Sequence, residues 1–220
     1  MIAMDIPELL EKGHHLMKIG RYDEAIQVYD QVLEIDIKNV PALKNKGDAY
    51  YDLGRHEDAI AAYDKALAIA PDDLAVLYEK GYTLRKIHRY AAAIQCFDRA
   101  LAIDPEFTLA LANKGYSLNE LGRYEDAIQC FDRILAESPK NIRAMTAKGI
   151  ALRELGKNTD ALLYFEKALG LNPINSFVMY NKAIALRNLG RIREADEVIS
   201  IVNMPRGPGL AGREACGIQK

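Results

Sequence analysis

The sequence of 220 residues contains only three cysteines, and their spacing matches neither a disulfide-linked protein nor a zinc-linked one. Cys96 and Cys130 lie at equivalent positions of a repeated segment, and Cys216 lies near the end of the sequence. No CxxC pair and no Cys/His spacing typical of a zinc site occurs, so we expect neither a disulfide framework nor a structural metal. Reduced thiols are typical of a cytoplasmic protein, and a cytoplasmic location is therefore expected.

Long apolar runs and an excess of one charge sign are also missing. No stretch approaches the roughly 20 apolar residues that cross a membrane. The first residues, MIAMDIPELLEKG, carry acids at Asp5 and Glu8, unlike a signal peptide. The net charge is −2, from 29 basic and 31 acidic residues. This balance gives no general attraction to nucleic acid or to anionic lipid, so we expect neither as a partner.

The motifs that usually mark an enzyme are absent from the sequence as well. There is no GxSxG, no P-loop, no HExxH and no GxGxxG after a predicted strand. His14 and His15 are adjacent, so they point to different sides of a helix and do not form a two-ligand metal site. We therefore expect no catalytic residues, no metal and no cofactor.

The sequence does contain a pattern of small and aromatic residues that recurs at one fixed spacing, the period of about 34 residues known from helical hairpin repeats. The first small residue of the pattern is Gly13, Gly47, Gly81, Gly115, Gly149 and Ala183. A turn residue follows, as Gly20, Gly54, His88, Gly122, Gly156 and Gly190. The second small residue is Ala25, Ala59, Ala93, Ala127, Ala161 and Ala195. The aromatic is Tyr29, Tyr63, Phe97, Phe131 and Phe165, with Ile199 in the last copy.

Each copy of the pattern predicts two short amphipathic helices joined by a tight turn. The small residues allow the helices to approach closely, and the bulky aromatic fills the space beside them. The glycine after the first helix accepts a left-handed conformation that other residues resist. Neither helix can bury its apolar side alone, so each hairpin requires neighbours, and stability should be a sum over repeats and their interfaces.

The segments YDLGRHEDAIAAYDKALAIAP and LGRYEDAIQCFDRILAESP resemble tetratricopeptide repeats (TPRs), and the resemblance extends over about residues 6–209. It implies an all-α fold, a right-handed α-solenoid of antiparallel helix hairpins, with a concave inner face that binds ligands. It also implies a non-enzymatic scaffold for protein interactions. We predict a lead at 1–5, repeats at 6–39, 40–73, 74–107, 108–141, 142–175 and 176–203, and a Gly/Pro-rich tail at 204–220.

One function of similar proteins, a clamp for the acidic C-termini of heat-shock chaperones, does not transfer to this sequence. The clamp needs lysine, asparagine, asparagine, lysine and arginine at fixed distances from three successive small residues. Counted from Gly47, the sequence offers Lys44, Asp48, Glu79, Leu109 and Asn113. The windows that begin at the other small residues do not match either.

The first helices carry a second stripe, polar and aromatic, which should face the concave side. Tyrosines supply flat amphipathic contact area and arginines supply forked donors. We therefore predict a groove for an extended protein segment that is partly apolar or aromatic and partly acidic. The predicted groove residues are Lys44, Asp48, Tyr51, Tyr78, Tyr82, Arg85, Asn113, Tyr116, Asn119, Arg143, Arg153, Tyr180, Asn181 and Arg187, and Phe177 lies on the same stripe. The alternative is that some of these tyrosines pack on the adjacent repeat.

A lysine precedes the first small residue in all six copies, and two interpretations of it stay open. Its regularity favours aliphatic stems packed over a neighbouring helix, whereas a basic ladder for phosphate is the alternative. These lysines are Lys12, Lys46, Lys80, Lys114, Lys148 and Lys182. Five second helices also carry an acid, at Asp30, Asp64, Asp98, Asp132 and Glu166.

The sixth repeat departs most from the pattern, because Ser200 and Ile201 replace the acid and the residue after it. Its second helix is apolar on more than one face, and the tail offers no obvious helix to cover it. The alternative function is therefore self-association, as a homodimer through the sixth repeat or the tail. The predicted contacts are Val198, Ile199, Ile201 and Val202.

Overall fold

The computed structural model describes residues 5–203, which form twelve α-helices and no strand. The helices are α1 Ile6–Lys18, α2 Tyr22–Ile35, α3 Val40–Asp52, α4 His56–Ile69, α5 Leu74–Lys86, α6 Tyr90–Ile103, α7 Thr108–Glu120, α8 Tyr124–Glu137, α9 Ile142–Glu154, α10 Asn158–Leu171, α11 Ser176–Asn188 and α12 Ile192–Asn203. The predicted tail at 204–220 and residues 1–4 of the predicted lead lie outside the described residues. Odd-numbered helices are called A helices below, and even-numbered ones B helices.

The A helices start at residues 6, 40, 74, 108, 142 and 176, and most of them begin at a capping side chain. In four of them the side-chain oxygen before the helix accepts a hydrogen bond of 3.0–3.2 Å from the backbone N–H three residues later. These caps are Asn39, Asp73, Asn141 and Asn175. Asp5 and Glu8 form a capping box at α1. The bonds satisfy N–H groups that have no partner within the helix and so fix where it begins.

The turn inside each hairpin uses a left-handed backbone. Five turns have glycine with φ of 74–76°, at Gly20, Gly54, Gly122, Gly156 and Gly190. His88 takes the same conformation with φ of 62°, and its Nδ1 lies 2.6 Å from the hydroxyl of Tyr90. Because residues with a β-carbon resist this region, the glycines explain why the chain turns where it does.

Within a hairpin, the buried aromatic ring of the B helix lies directly against the small residue of the A helix. Tyr63 is 1% exposed, and a β-carbon added to Gly47 would lie 2.4 Å from its Cε1 atom. The same close approach, at 2.3–2.7 Å, joins Gly13 to Tyr29, Gly81 to Phe97 and Gly149 to Phe165. The two helices can therefore pack this closely only because the A helix has no side chain at that position.

The chain divides into two compact units, residues 1–130 and 131–220. In the first unit the helices from α1 to α7 pack in order, and α3 also contacts α1 and α5, while α5 also contacts α7. Its largest core cluster joins side chains of several hairpins, among them Leu43, Tyr63, Leu77 and Phe97. In the second unit, α9 to α12 pack in order and α9 also contacts α11. Each unit is therefore a stack of helical hairpins.

Ion pairs also join successive hairpins within each unit. The lysine before the small residue of an A helix pairs with the acid 16 residues earlier, on the B helix of the preceding repeat. The pairs are Lys46–Asp30, Lys80–Asp64 at 2.5 Å, Lys114–Asp98 at 2.6 Å, Lys148–Asp132, and Lys182–Glu166 at 3.0 Å. The lysine side chains are only 11–27% exposed, so their stems pack between helices while their charges are neutralised. This arrangement favours a structural role over phosphate binding.

Candidate binding face

On α3, the predicted groove residues Lys44 and Asp48 are hydrogen-bonded to other side chains of the first unit. Lys44 Nζ is 2.6 Å from Asp48 Oδ2, and the hydroxyl of the buried Tyr63 donates to Asp48 Oδ1 at 2.7 Å. Burial, and then the charge of Asp48, raise the pKa of Tyr63 well above its ordinary value. Asp48 therefore accepts hydrogen bonds from two side chains of the same chain, Lys44 and Tyr63.

Three tyrosines and an arginine from α3 and α5 form a cluster, which we call the tyrosine face: Tyr51, Tyr78, Tyr82 and Arg85. The rings of Tyr78 and Tyr82 are stacked with centroids 6.1 Å apart, and Tyr51 lies 5.8 Å from Tyr82. The Arg85 guanidinium lies over the Tyr82 ring, 5.1 Å from its centroid. The stripe on α5 arises because Tyr78, Tyr82 and Arg85 are spaced by four and three residues.

The tyrosine face is only half-buried, in contrast to the fully buried rings of the B helices. Burial, followed by the neighbouring Tyr82, raises the pKa of Tyr51, and burial followed by Glu79 raises that of Tyr78. Both phenols therefore stay protonated at neutral pH and keep a hydroxyl that can donate. Tyr78 also packs against Phe107 with centroids 5.2 Å apart, which fixes its orientation. The rings thus pack partly on neighbouring repeats and partly remain accessible.

The three predicted residues on α7 differ in their accessibility. Asn113 is buried, and its Nδ2 donates to the Leu109 carbonyl at 2.9 Å and lies 3.4 Å from the Tyr78 hydroxyl. Tyr116 and Asn119 are half-buried on the same helix. Asn113 therefore supports the tyrosine face from below, whereas Tyr116 offers accessible surface beside it.

Glu79 is a residue of this region that the sequence pattern does not single out as a contact. It is half-buried on α5, and burial followed by the charge of Asp48 raises its pKa above the ordinary value. Asp48 and Glu79 give one end of the face acidic character, whereas Arg85 gives the other end basic character. The repeat pattern does not distinguish Glu79 from the other charged residues of α5, among them Lys80 and Arg85.

In the second unit, the predicted residues on α9 and α11 are partly exposed and partly bound to each other. Arg153 Nη1 donates to Asn181 Oδ1 at 2.7 Å, and the same guanidinium pairs with Glu154. Arg187 pairs with Asp196 at 2.9 Å. Asn181 is buried and also donates to the Phe177 carbonyl. Arg153 and Arg187 therefore use much of their hydrogen-bonding capacity on other residues of the chain.

The aromatic residues of α11 stand out in the second unit because they are exposed. Phe177 is 63% exposed and Tyr180 is 55% exposed, one helical turn apart. Arg143 on α9 is exposed as well. Exposed aromatic side chains in neighbouring turns are typical of a surface that contacts another molecule.

The residues predicted for self-association lie on α12. Ile201 is 55% exposed, while Val198, Ile199 and Val202 are half-buried. The residues at the position of Ile199 in the five preceding repeats are at most 1% exposed. The last described hairpin therefore leaves apolar surface that the earlier hairpins cover.

Two other kinds of site are absent from residues 5–203. No helix in this range is both long enough and apolar enough to span a bilayer. The same range brings together no three His, Cys, Asp or Glu side chains in an arrangement that holds a metal ion.

Solved structures with the same fold place this architecture among known proteins. A structure of MamA is 30% identical, with 78% of this chain and 97% of that chain aligned and a TM-score of 0.70. A tetratricopeptide repeat protein from Parabacteroides merdae is 22% identical over 90% of this chain and 78% of its own, with a TM-score of 0.81. YrrB, described as a TPR protein with an unusual peptide-binding site, is 20% identical over 79% and 90%, with a TM-score of 0.68. No curated protein sequence matches the chain.

The family comparison covers most of the sequence. The tetratricopeptide repeat model matches residues 10–73, 78–142 and 146–198. The predicted fold class, an all-α right-handed α-solenoid of antiparallel helix hairpins, is confirmed by this match and by the solved structures. The chain therefore belongs to the tetratricopeptide repeat family.

Proposed function

We propose that the chain is a non-enzymatic scaffold that binds an extended segment of a partner protein along its A helices, in the groove predicted from the sequence. Tetratricopeptide repeat proteins bind protein or peptide partners, and the fold neighbours support an interaction scaffold for this chain. We further propose which surface of the chain binds the segment and which chemical character the segment has.

The tyrosine face is the observation that carries this proposal. Its rings are half-buried and pack on one another, and Phe107 holds Tyr78 in place, so binding a ligand would cost little side-chain entropy. Such rigid aromatic groups contribute large amphipathic contact area to protein interfaces. A segment with aromatic or apolar side chains fits the rings, and one with acidic side chains fits the basic end at Arg85.

The second unit offers a separate contact surface. Phe177, Tyr180 and Arg143 are exposed and suit a partly aromatic, partly acidic ligand. Asn113 and Asn181 are buried and bonded within the chain. We therefore assign Asn113 to holding the tyrosine face in place and Asn181 to holding Arg153. In the second unit we assign ligand contact to the three exposed side chains.

The test is a double substitution, Tyr82→Ala with Tyr116→Ala, in the full chain. Partner proteins captured by the wild-type chain should bind the double variant at least tenfold more weakly. Each lost aromatic contact typically costs about 1–2 kcal/mol or more of binding free energy. The matched control is Tyr164→Ala on α10, where the ring contacts Lys148 and lies outside the A helices. Equal affinity of the double variant and the control, with unchanged circular dichroism, would reject the proposed surface.

The proposed compartment is the cytoplasm. Cys96 and Cys130 are both buried and form no disulfide bond within residues 5–203, and burial raises the pKa of the Cys96 thiol. Such thiols are poorly reactive and suit a reducing compartment.

Self-association is a second candidate function, favoured by the apolar surface of α12. Ile192 and Ile201 are 50% and 55% exposed there, beside the half-buried Val198, Ile199 and Val202. A homodimer through this helix would cover the surface that a further repeat would otherwise cover.

A further inference from the structure

Three arginines occupy the same position of the repeat, four residues after the small residue of the A helix. They are Arg85, Arg153 and Arg187. Arg153 is bound to Glu154 and to Asn181, and Arg187 is bound to Asp196. Two of the three guanidinium groups are therefore neutralised by acids of the chain.

Arg85 has no such acid. The position that supplies Glu154 to Arg153 is Lys86 in the third repeat, and the position that supplies Asp196 to Arg187 is Ile94. Within residues 5–203, Arg85 forms no ion pair, and its Nε–H is buried without an acceptor. Asn113, the counterpart of Asn181, bonds Leu109 and lies against Tyr78 instead. The charge of Arg85 therefore has no acidic partner in this part of the chain, and an acidic ligand would supply one.

The surroundings of Arg85 suit an anion that arrives with an apolar neighbour. Its guanidinium lies over the Tyr82 ring, 5.1 Å from the centroid, and the ring replaces water on that side. Tyr51 and Tyr78 are phenols, which are neutral at neutral pH, and burial raises their pKa values further. Hence the rings bring no negative charge that would compete with an anionic ligand.

We propose that Arg85, with the rings of Tyr51 and Tyr82 beside it, binds a carboxylate of the partner segment next to an aromatic or apolar side chain. A planar guanidinium fork matches a carboxylate in geometry, and its single positive charge matches a single negative one. The carboxylate comes either from an Asp or Glu side chain or from a C-terminus. This inference rests on the proposed peptide-binding function and names the residue that selects the acid.

The test uses a library of random linear peptides displayed on phage with free C-termini and selected against the immobilised full chain. Peptides enriched by the wild-type chain are synthesised in matched pairs, one pair with Glu changed to Gln and one with a free or an amidated C-terminus. Each pair is titrated against the wild type, Arg85→Gln, Arg85→Lys and Arg123→Gln. The last variant is the control, because it removes an arginine that lies outside the predicted groove and is already paired with Asp126.

The expected result is enrichment of Asp or Glu, or of one free C-terminus, beside an aromatic residue. Removing the carboxylate should weaken binding to the wild type and to Arg123→Gln at least tenfold, but less than twofold to Arg85→Gln. Arg85→Lys should restore only part of the difference, since an ammonium lacks the fork. Whether the loss follows Glu→Gln or amidation identifies the source of the carboxylate.

Three results would contradict either the role of Arg85 or the peptide-binding proposal, and they are distinguishable. Enriched peptides that bind the tyrosine face but contain no carboxylate beside the aromatic overturn the role of Arg85 alone. An equal loss from Glu→Gln in the wild type and in Arg85→Gln does the same. If the library yields no peptide, or if its peptides bind Tyr82→Ala as tightly as the wild type, the peptide-binding proposal itself fails.

Discussion

At the scale of single residues, the space beside the buried ring decides which side chain an A helix accepts. The Tyr63 ring is fixed in place because its hydroxyl donates to Asp48, and it fills the volume that a β-carbon on Gly47 would need. The sixth repeat makes the compensating change, with Ala183 in place of glycine and the smaller Ile199 in place of the ring. The side chains at the glycine position and at the aromatic position must therefore match each other in size.

Substituting Gly47 by alanine should destabilise the chain by about 1–3 kcal/mol, because the added methyl forces a fully buried ring to move. The matched control is Gly170→Ala on α10, where a β-carbon meets nothing within 4 Å. That change should stabilise by roughly 0.5–1 kcal/mol, since glycine costs conformational entropy in a helix. Urea unfolding monitored by circular dichroism measures both. The same sign of change for the two variants would contradict this account.

The sequence predicted these residue-scale features because they are local and periodic. The glycine, turn and aromatic positions recur at one spacing, and the hairpin follows from that spacing alone. The ionic partners did not follow. Whether an arginine of the stripe is paired depends on a neighbour such as Glu154 or Asp196, which belongs to no repeated position. Comparing Lys86 and Ile94 with those acids could have identified Arg85 from the sequence.

At the scale of helices, each hairpin is joined to the next by an ion pair as well as by apolar packing. Asp64 lies next to Lys65 in sequence but pairs with Lys80 on the next A helix. The side chain of Lys80 is 21% exposed and that of Asp64 is 54% exposed, so solvent screens the pair in part. The pair therefore serves mainly to set the register between hairpins.

Removing the pair by Lys80→Gln should destabilise the chain by up to about 1 kcal/mol, which is the range for partly exposed ion pairs. Asp64→Asn should have a similar effect, and the double variant should cost little more than either single one. Lys65→Gln is the control and should be neutral. Urea midpoints at low and high salt measure these effects, and the loss should shrink at high salt. Full additivity of the two single changes would show that the pair has no coupling.

Sequence alone favoured lysine stems packed on a neighbouring helix, and the partly buried lysines agree with that interpretation. It did not predict their acidic partners, because the two residues of a pair belong to different repeats and come into contact only when the hairpins stack. The tyrosines show the same limit. Their position on the A helices was readable from the stripe, but the stacking of Tyr78 on Tyr82 and the contact with Phe107 depend on ring orientations.

At the scale of the whole molecule, the uniform period predicted the fold class, because each hairpin must bury its apolar sides against neighbours of the same kind. The pattern continues unchanged through α8, which is one continuous helix. The family match ends at residue 198, within α12. The exact boundaries of the six repeats stay a prediction, and the sixth is proposed as the end repeat because it lacks the acid that would pair with a further lysine.

If α12 mediates self-association, sedimentation of the full chain should show a dimer whose fraction rises with concentration. Ile201→Glu should shift the chain to monomer, because a charge on a 55% exposed apolar site cannot be buried without a partner. The matched control is Ile35→Glu at the end of α2, where the side chain is 60% exposed but lies far from the last hairpin in sequence. A chain ending at Asn203 separates the helix from the tail: a dimer that persists assigns the contact to α12, and a monomer assigns it to residues 204–220. If the wild type is a monomer at every concentration, the apolar surface of α12 requires a different partner and the dimer proposal is withdrawn.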